Sequence, residues 1–193
     1  DLTPRNLIVA SFDLIVLGGG PAGYVCAIRA AQLGLSTAVV GKDKLGGVCV
    51  NIGCIPTKAL LHSASSINLI AHQAKELGIE VGTVKTDYGV AMKRSRKVAE
   101  QNSKGVEFLM KKNKVTVIKG TGTLLPGKKV KVGADVHEAK KALVIATGSV
   151  PRLIPGVKID GTKVLTSDEI LELEEIPESL IVLGAGAVGV EFA

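Results

Sequence analysis

The chain has 193 residues, 46% of them hydrophobic and 3% aromatic with no Trp, and a formal net charge of +6. This is ample apolar material for a core in one domain or a domain and a fraction, and no apolar run approaches the ~18 residues of a membrane span. Charge is uneven: from Met92 to Lys141 there are 14 Lys or Arg against 4 Asp or Glu, and from Asp160 onward 1 against 8. With so few aromatics the basic middle has no base-stacking platform, so it reads as a solvated helix face and not as a nucleic-acid surface. Three cysteines are too few for a secreted disulfide scaffold and point to a reducing compartment. The start has neither Met nor a signal-peptide layout and reads as a processed or cut end.

Phe12 to Leu17 is a near-continuous apolar run, as a buried parallel strand requires. Gly18, Gly20 and Gly23 follow as GxGxxG, with Pro21 and Ala22 opening a helix that runs to Leu33 and stops at Gly34. The first glycine permits a tight turn, the second lets backbone approach a pyrophosphate, and the third allows close helix packing. Thr37 to Val40 is the second strand. At its end, where a carboxylate holds ribose hydroxyls in such sites, the chain has Gly41, then Lys42 and Asp43.

GGVCVNIGCIPTK, residues 46 to 58, comes next. Five residues along a continuous α-helix would separate the Cα atoms of Cys49 and Cys54 by roughly 9 Å, beyond the ~7 Å limit for a disulfide. Either these thiols never pair or the backbone between them is irregular, and Gly46, Gly47 and Gly53 supply that freedom. Pro56 suits the first turn of a helix and steers Ile55 out of helical geometry. Ala59, Leu60, Ile67, Ile70 and Ala71 then form an apolar stripe, with a stop at Gly78. Cys54 thus sits at a helix N-terminus that favours a thiolate, with Lys58 one turn on. The alternatives to a redox pair are two structural thiols or half a metal site, for which His62 and His72 are poorly spaced.

Lysines from 93 to 114 alternate with Val98, Val106, Leu109 and Met110 as on an amphipathic helix. Val115–Lys119 and Lys128–Val132 alternate like half-exposed strands, and Ala142–Ala146 is an apolar strand running into Thr147, Gly148 and Ser149. Residues 150–178 read as a linker with a short helix. SLIVLGAGAVGVEFA then repeats the strand–glycine–helix opening with Gly184, Gly186 and Gly189, so the chain carries two dinucleotide signatures.

Two fingerprints, the cysteine stretch after the first and ATGS before the second, resemble the flavoprotein disulfide reductases. Within that group, GYVCAIRAAQLG and IPTKALL are most similar to the dihydrolipoamide dehydrogenases. The resemblance spans essentially all 193 residues and matches the N-terminal portion of such an enzyme. It implies an α/β fold: a Rossmann-like FAD domain of parallel sheet plus a small antiparallel meander over 1–155. A linker and the first strand, turn and helix of a second Rossmann-like, NAD-binding domain would occupy 156–193.

The resemblance implies FAD and NAD as cofactors and a Cys49–Cys54 disulfide. Cys49 would be the exposed thiol that exchanges with substrate, and Cys54 the thiolate in charge-transfer contact with the flavin. Lys58 would lie near the flavin with Glu191 as its acidic partner, and Gly122, Thr147, Gly148 and Ser149 would be further flavin contacts. Implied partners are a lipoyl dithiol on a carrier domain of a 2-oxoacid dehydrogenase complex and a second copy of the full-length protein. No metal, nucleic acid or membrane is implied, and the setting would be the cytoplasm or the mitochondrial matrix. None of His62, His72 and His137 matches the family's C-terminal catalytic base; all three read as surface or satisfied histidines, and Cys26 as a small buried hydrophobe. Alternative readings are a non-catalytic FAD-binding fragment or a sibling resembling glutathione or mercuric reductase.

Overall fold

A computed structural model describes residues 8–193; the chain start, read above as a cut end, lies outside them. The chain divides into two compact units, Asp1–Asn51 with Gln101–Ser149, and Ile52–Glu100 with Val150–Ala193. Each unit is thus built from two separate stretches of chain, whereas the expected division was a single boundary at 155/156.

The first unit is a six-stranded sheet. Its strands are β1 (Ile8–Leu17), β2 (Thr37–Gly41), β3 (Thr116–Lys119), β4 (Gly122–Leu125), β5 (Lys129–Val132) and β6 (Asp135–Ile145), in the order β3-β2-β1-β6-β5-β4. β3, β2, β1 and β6 run parallel, and β6, β5 and β4 pair antiparallel. The expected fold class, a parallel sheet with an antiparallel meander, is the one found. Helix α1 (Pro21–Gln32) lies on one face, where Ala27 and Ala30 join Leu14, Val16, Val39 and Leu45 in the core. The C-terminal part of α4 (Tyr88–Lys112) contributes Val106 and Met110 to the same core. On the other face Ile15, Leu17, Ala38 and Val40 pack with Val130 and Val132 of β5. Near-continuous apolar strands follow from burial on both faces.

β1 and β6 hold two register shifts of opposite sense. Ile8 pairs with Val136 and Ala10 with His137, so β1 carries one extra residue; Phe12 pairs with Ala139 and Leu14 with Ala142, so β6 carries the next. The shifts cancel, and Leu17 meets Ile145.

Three expectations about local structure are corrected. The stretch around Cys49 forms a short helix, α2 (Gly47–Ile52), too short to be visible as a periodic pattern. Ile55 is helical: α3 (Cys54–His72) begins at Cys54, so Pro56 is its third residue, where the missing N–H has no intrahelical partner in any case. Ser179–Leu183 joins no strand pairing among the described residues, with Ile181 87% exposed. An extended segment becomes a strand only when another chain stretch takes its hydrogen bonds.

The second unit holds α3, the N-terminal part of α4, and two short helices, α5 (Ser167–Ile170) and α6 (Ala187–Phe192). α5 opens on a reciprocal cap in which Thr166 and Glu169 bind each other's backbone or side chain. No helix among the described residues is long and apolar enough to cross a membrane.

Candidate functional site: a glycine turn, a cysteine-bearing helix break and a Lys–Glu pair

In the sheet unit, β1 ends in the Gly18 turn. Gly18 has φ +110°, and a Cβ there would stand 2.0 Å from the Ala146 carbonyl oxygen; a Cβ on Gly23 would stand 1.9 Å from the Gly18 oxygen. Neither position admits a side chain. Gly20 differs, because the nearest atom to its Cβ would be the Gly47 Cα at 3.8 Å. Gly20 caps α1, with Pro21 in the first turn, no side-chain cap and no acidic residue over the first amides. Uncapped amides and the positive end of the helix dipole suit an anion. Pro21 and Ala22 are exposed beside them.

Gly46 and Gly47 sit against this turn. The Gly46 amide donates to the Gly19 oxygen at 2.9 Å, and a Cβ on Gly47 (φ +60°) would come within 2.6 Å of the Gly20 Cα. The Leu45 carbonyl that precedes them accepts from Asn51 Nδ2 at 3.1 Å and from buried Ser103 Oγ at 2.8 Å. Asn51 also donates to the Gly47 oxygen at 2.9 Å, which fixes the start of the helix carrying Cys49. Sequence reasoning missed Asn51 and Ser103. Ser103 stands on the buried stripe of α4 with Ala99, Val106 and Met110, a polar residue in an apolar row that spacing alone exposes.

Gly41 ends β2, and a Cβ there would meet only the Gly19 amide nitrogen, at an ordinary 3.5 Å. Lys42 beyond it is exposed. Gly122 begins β4, its α-carbon so close to Leu17, Val40 and Val130 that a Cβ would fall 2.7 Å from Leu17 Cδ2. Its glycine is accounted for by packing. Thr147, Gly148 (φ +75°) and Ser149 follow β6 and are exposed.

The helical unit begins between the two cysteines. Gly53, at φ −147° and ψ −114°, breaks the backbone between α2 and α3. Its carbonyl accepts from both the amide and the hydroxyl of Thr57, at 3.1 and 2.7 Å. Cys54 is exposed, Cys49 and Cys26 are half-buried, and none of the three is joined in a disulfide. The exposures of Cys49 and Cys54 are therefore the reverse of those expected. Cys54 heads α3, whereas Cys49 lies inside α2. Cys26 packs against the core beneath α1 but is only half-buried, not the buried hydrophobe expected.

Lys58, exposed one turn into α3, is hydrogen-bonded and ion-paired to Glu191 of α6. Glu191 also borders a groove of about 810 Å³, walled mostly by apolar residues such as Leu61, Ile67, Leu180 and Phe192, where burial raises the Tyr88 phenol. Gly184, Gly186 and Gly189 lie outside it and form a turn built like the first. Gly184 has φ +123°, and a Cβ on Gly189 would stand 2.0 Å from the Gly184 oxygen. The caps match as well, φ −74° and ψ 173° at Gly186 against −76° and −175° at Gly20.

His62 and His72 are on α3 and exposed. His137 is 7% exposed beside Phe12, with its Nδ1 buried and no hydrogen-bond partner among the described residues, so it is a core histidine and not a fully satisfied one.

The family model described as pyridine nucleotide-disulphide oxidoreductase matches residues 12–193. The chain belongs to the pyridine nucleotide-disulphide oxidoreductases. Within this family it is 50% identical over 192 residues to a dihydrolipoyl dehydrogenase of Chlorobaculum tepidum, covering 97% of this chain and 41% of that protein. It is 44% identical over 199 residues to a dihydrolipoyl dehydrogenase of Bacillus subtilis, with 96% and 42% covered. Among solved structures, the Cu(II) complex of the HOCl-induced flavoprotein disulfide reductase RclA from Escherichia coli superposes with a TM-score of 0.78 at 26% identity. It covers 94% of this chain and 39% of that one. LpdA from Mycobacterium tuberculosis gives a TM-score of 0.74 at 27% identity, with 88% and 38% covered. The chain thus spans about two fifths of the length of these pyridine nucleotide-disulphide oxidoreductases.

Proposed function

We propose that this chain is the FAD-binding, dithiol-exchanging part of a dihydrolipoamide dehydrogenase. Residues 1–155 would hold FAD, and 156–193 would form a linker and the start of an NAD-binding part. The observation that carries this reading is the Gly18 turn. It packs so tightly that Gly18 and Gly23 admit no Cβ, yet it leaves Gly20 and the uncapped amides of α1 open to a pyrophosphate. The residues present fit FAD there, and bound FAD would supply a two-electron acceptor.

Cys49 and Cys54, once oxidised to a disulfide, would take those electrons from the substrate. A substrate thiolate attacks the Cys49 sulfur, forming a substrate–Cys49 disulfide and releasing Cys54 as thiolate. The second substrate thiol, losing its proton, attacks the substrate sulfur and expels Cys49 as thiolate. The product leaves as a disulfide, and its two electrons stay with Cys49 and Cys54. Lys58, held by Glu191, keeps a cation one turn beyond Cys54. NAD would be the final acceptor, its pyrophosphate at the Gly184 turn.

The dithiol would be a lipoyl group on the carrier domain of a 2-oxoacid dehydrogenase complex, met by a homodimer of the full-length protein in the cytoplasm or mitochondrial matrix. The test has two parts. The chain mixed with FAD is expected to keep a visible flavin spectrum through gel filtration; a colourless product rejects the reading. The full-length protein is expected to oxidise dihydrolipoamide with NAD. Reduction of glutathione disulfide or mercuric ion in its place would move it to a sibling activity.

A further inference from the structure

The extra residue in β6 lies opposite Asp13, between the pairs Phe12–Ala139 and Leu14–Ala142. A bulge of this kind leaves backbone groups without ladder partners and permits slippage unless something fixes it. Here it is held from both sides. Lys128 Nζ donates to the carbonyl oxygens of Lys140 and Lys141, at 2.9 and 3.2 Å. The Lys128 carbonyl accepts from the Ala139 amide at 2.9 Å, just ahead of the bulge. Among the described residues, Lys128 is one of two non-glycine residues with positive φ, at +56°, a conformation long side chains rarely adopt. Across the bulge, Lys141 Nζ meets Asp13 Oδ1 at 3.3 Å. Asp13 Oδ2 accepts from the Ser36 amide and hydroxyl, each at 3.0 Å, and the Asp13 amide donates to Ser36 Oγ at 2.8 Å. One chain of contacts therefore joins the β4–β5 turn, the bulge, β1 and the entry to β2.

Downstream of the bulge, β1 and β6 run in step to the Gly18 turn. The Ala146 amide donates to the Leu17 oxygen at 2.7 Å, and the Ala146 oxygen is the atom that leaves no room for a Cβ on Gly18. A one-residue slip of β6 would exchange the faces of Leu143 and Val144 and remove Ala146 from Gly18. Only the bulged register seats the Ala146 oxygen against Gly18.

We propose that Lys128, Lys141 and Asp13 are positioning residues for the dinucleotide turn: by clamping the extra residue of β6 they set the register that seats Ala146 against Gly18. None of them belongs to the turn itself; they act on it from about 15 Å away along the strands. The inference rests on the reading of the Gly18 turn as the FAD pyrophosphate site.

The test compares the chain with Lys128→Asn, which suits a left-handed backbone but lacks the amine, and with Lys128→Arg, which keeps the cation. FAD titration well below the melting temperature is expected to show about tenfold weaker binding for the Asn variant, the loss of one charge-assisted hydrogen bond's worth, with recovery in the Arg variant. The visible circular dichroism of the bound flavin is expected to change with it. Wild-type affinity and dichroism in a folded Lys128→Asn protein would overturn the proposal. Amide exchange decides it without the cofactor: the Ala146 and Val144 amides are expected to exchange faster in Lys128→Asn, and unchanged rates would refute it even if FAD bound to neither protein. Should that variant fail to fold, Asp13→Asn is measured in the same two ways, with the same outcomes for and against.

Discussion

Lys58 on α3 is ion-paired with Glu191 on α6, 133 residues further along the chain. The side chains are 61% and 32% exposed, so solvent screens the pair and its contribution to folding is small. A double-mutant cycle with Lys58→Met and Glu191→Gln, read by urea unfolding, is expected to give a coupling of less than about 1 kcal/mol. A coupling of several kcal/mol would mean the pair serves the fold first and leave the cofactor reading without this support.

The three glycines of the first turn are expected to separate by what they do. Gly18→Ala and Gly23→Ala place a methyl about 2 Å from a backbone oxygen and should cost more than about 2 kcal/mol of stability. Gly20→Ala meets nothing closer than 3.8 Å, so its thermal unfolding should match wild type while FAD binding weakens. Equal stability losses at all three positions would contradict the division.

Gly41→Glu is expected to tighten FAD binding by about 1.5–3 kcal/mol, roughly tenfold or more. The backbone has room for a Cβ, and a carboxylate at the end of β2 can accept from both ribose hydroxyls. Titration of both cofactor-free proteins with FAD measures it. An unchanged constant, with weaker binding on Asp43→Ala, would show that Asp43 already fills the role.

Thiol labelling should depend on the cofactor. In the reduced, cofactor-free chain, exposed Cys54 is expected to alkylate before half-buried Cys49. With FAD bound the proposed order is Cys49 first, because Cys54 would lie under the flavin. Mass spectrometry of partially labelled protein reads both states, and an order indifferent to FAD would remove Cys54 from the cofactor.

The Ser36 amide, then its hydroxyl and Lys141, hold the Asp13 carboxyl below the usual carboxylate range. A lowered folded value means that the contribution is fully present above the ordinary carboxylate pKa and is lost as pH falls through the folded one. The stability difference between wild type and Asp13→Asn should therefore be constant near neutrality and shrink below about pH 4. Thermal melts across that range would reveal it; a difference that persists into strong acid would rule out the carboxylate as its source.

The sequence disclosed most where backbone constraint and burial coincide. β1, α1 and β2 were legible because apolar runs, glycines and a helix stop punctuate them in succession. The first half of β6 was not, since DVHEAKK mixes charge with apolar residues and holds a bulge that breaks the period of two. β4, four residues with a glycine at its start, carries too little pattern to stand out. At the site, the glycines and cysteines announced themselves by residue type and spacing. The pairing of Lys58 with Glu191 was expected only from the family resemblance. The ring of contacts on the Leu45 carbonyl, and the chain from Ser36 through Asp13 to Lys141, depend on residues far apart in sequence, whose types are common everywhere.

The Gly184 turn repeats the Gly18 turn almost angle for angle, though the first is anchored in a hydrogen-bonded sheet and the second follows a segment with no strand partner among the described residues. The six residues therefore reach these angles without a sheet, and what the strands add at the first turn is the seating of Ala146 on Gly18. Such a word is portable: copied elsewhere in a chain, or grafted onto the start of an unrelated helix, it should fold into the same loop and bring its uncapped amides along. A protein built from two copies of it can vary what surrounds each one, and so let two cofactors diverge, without reinventing the grip on either.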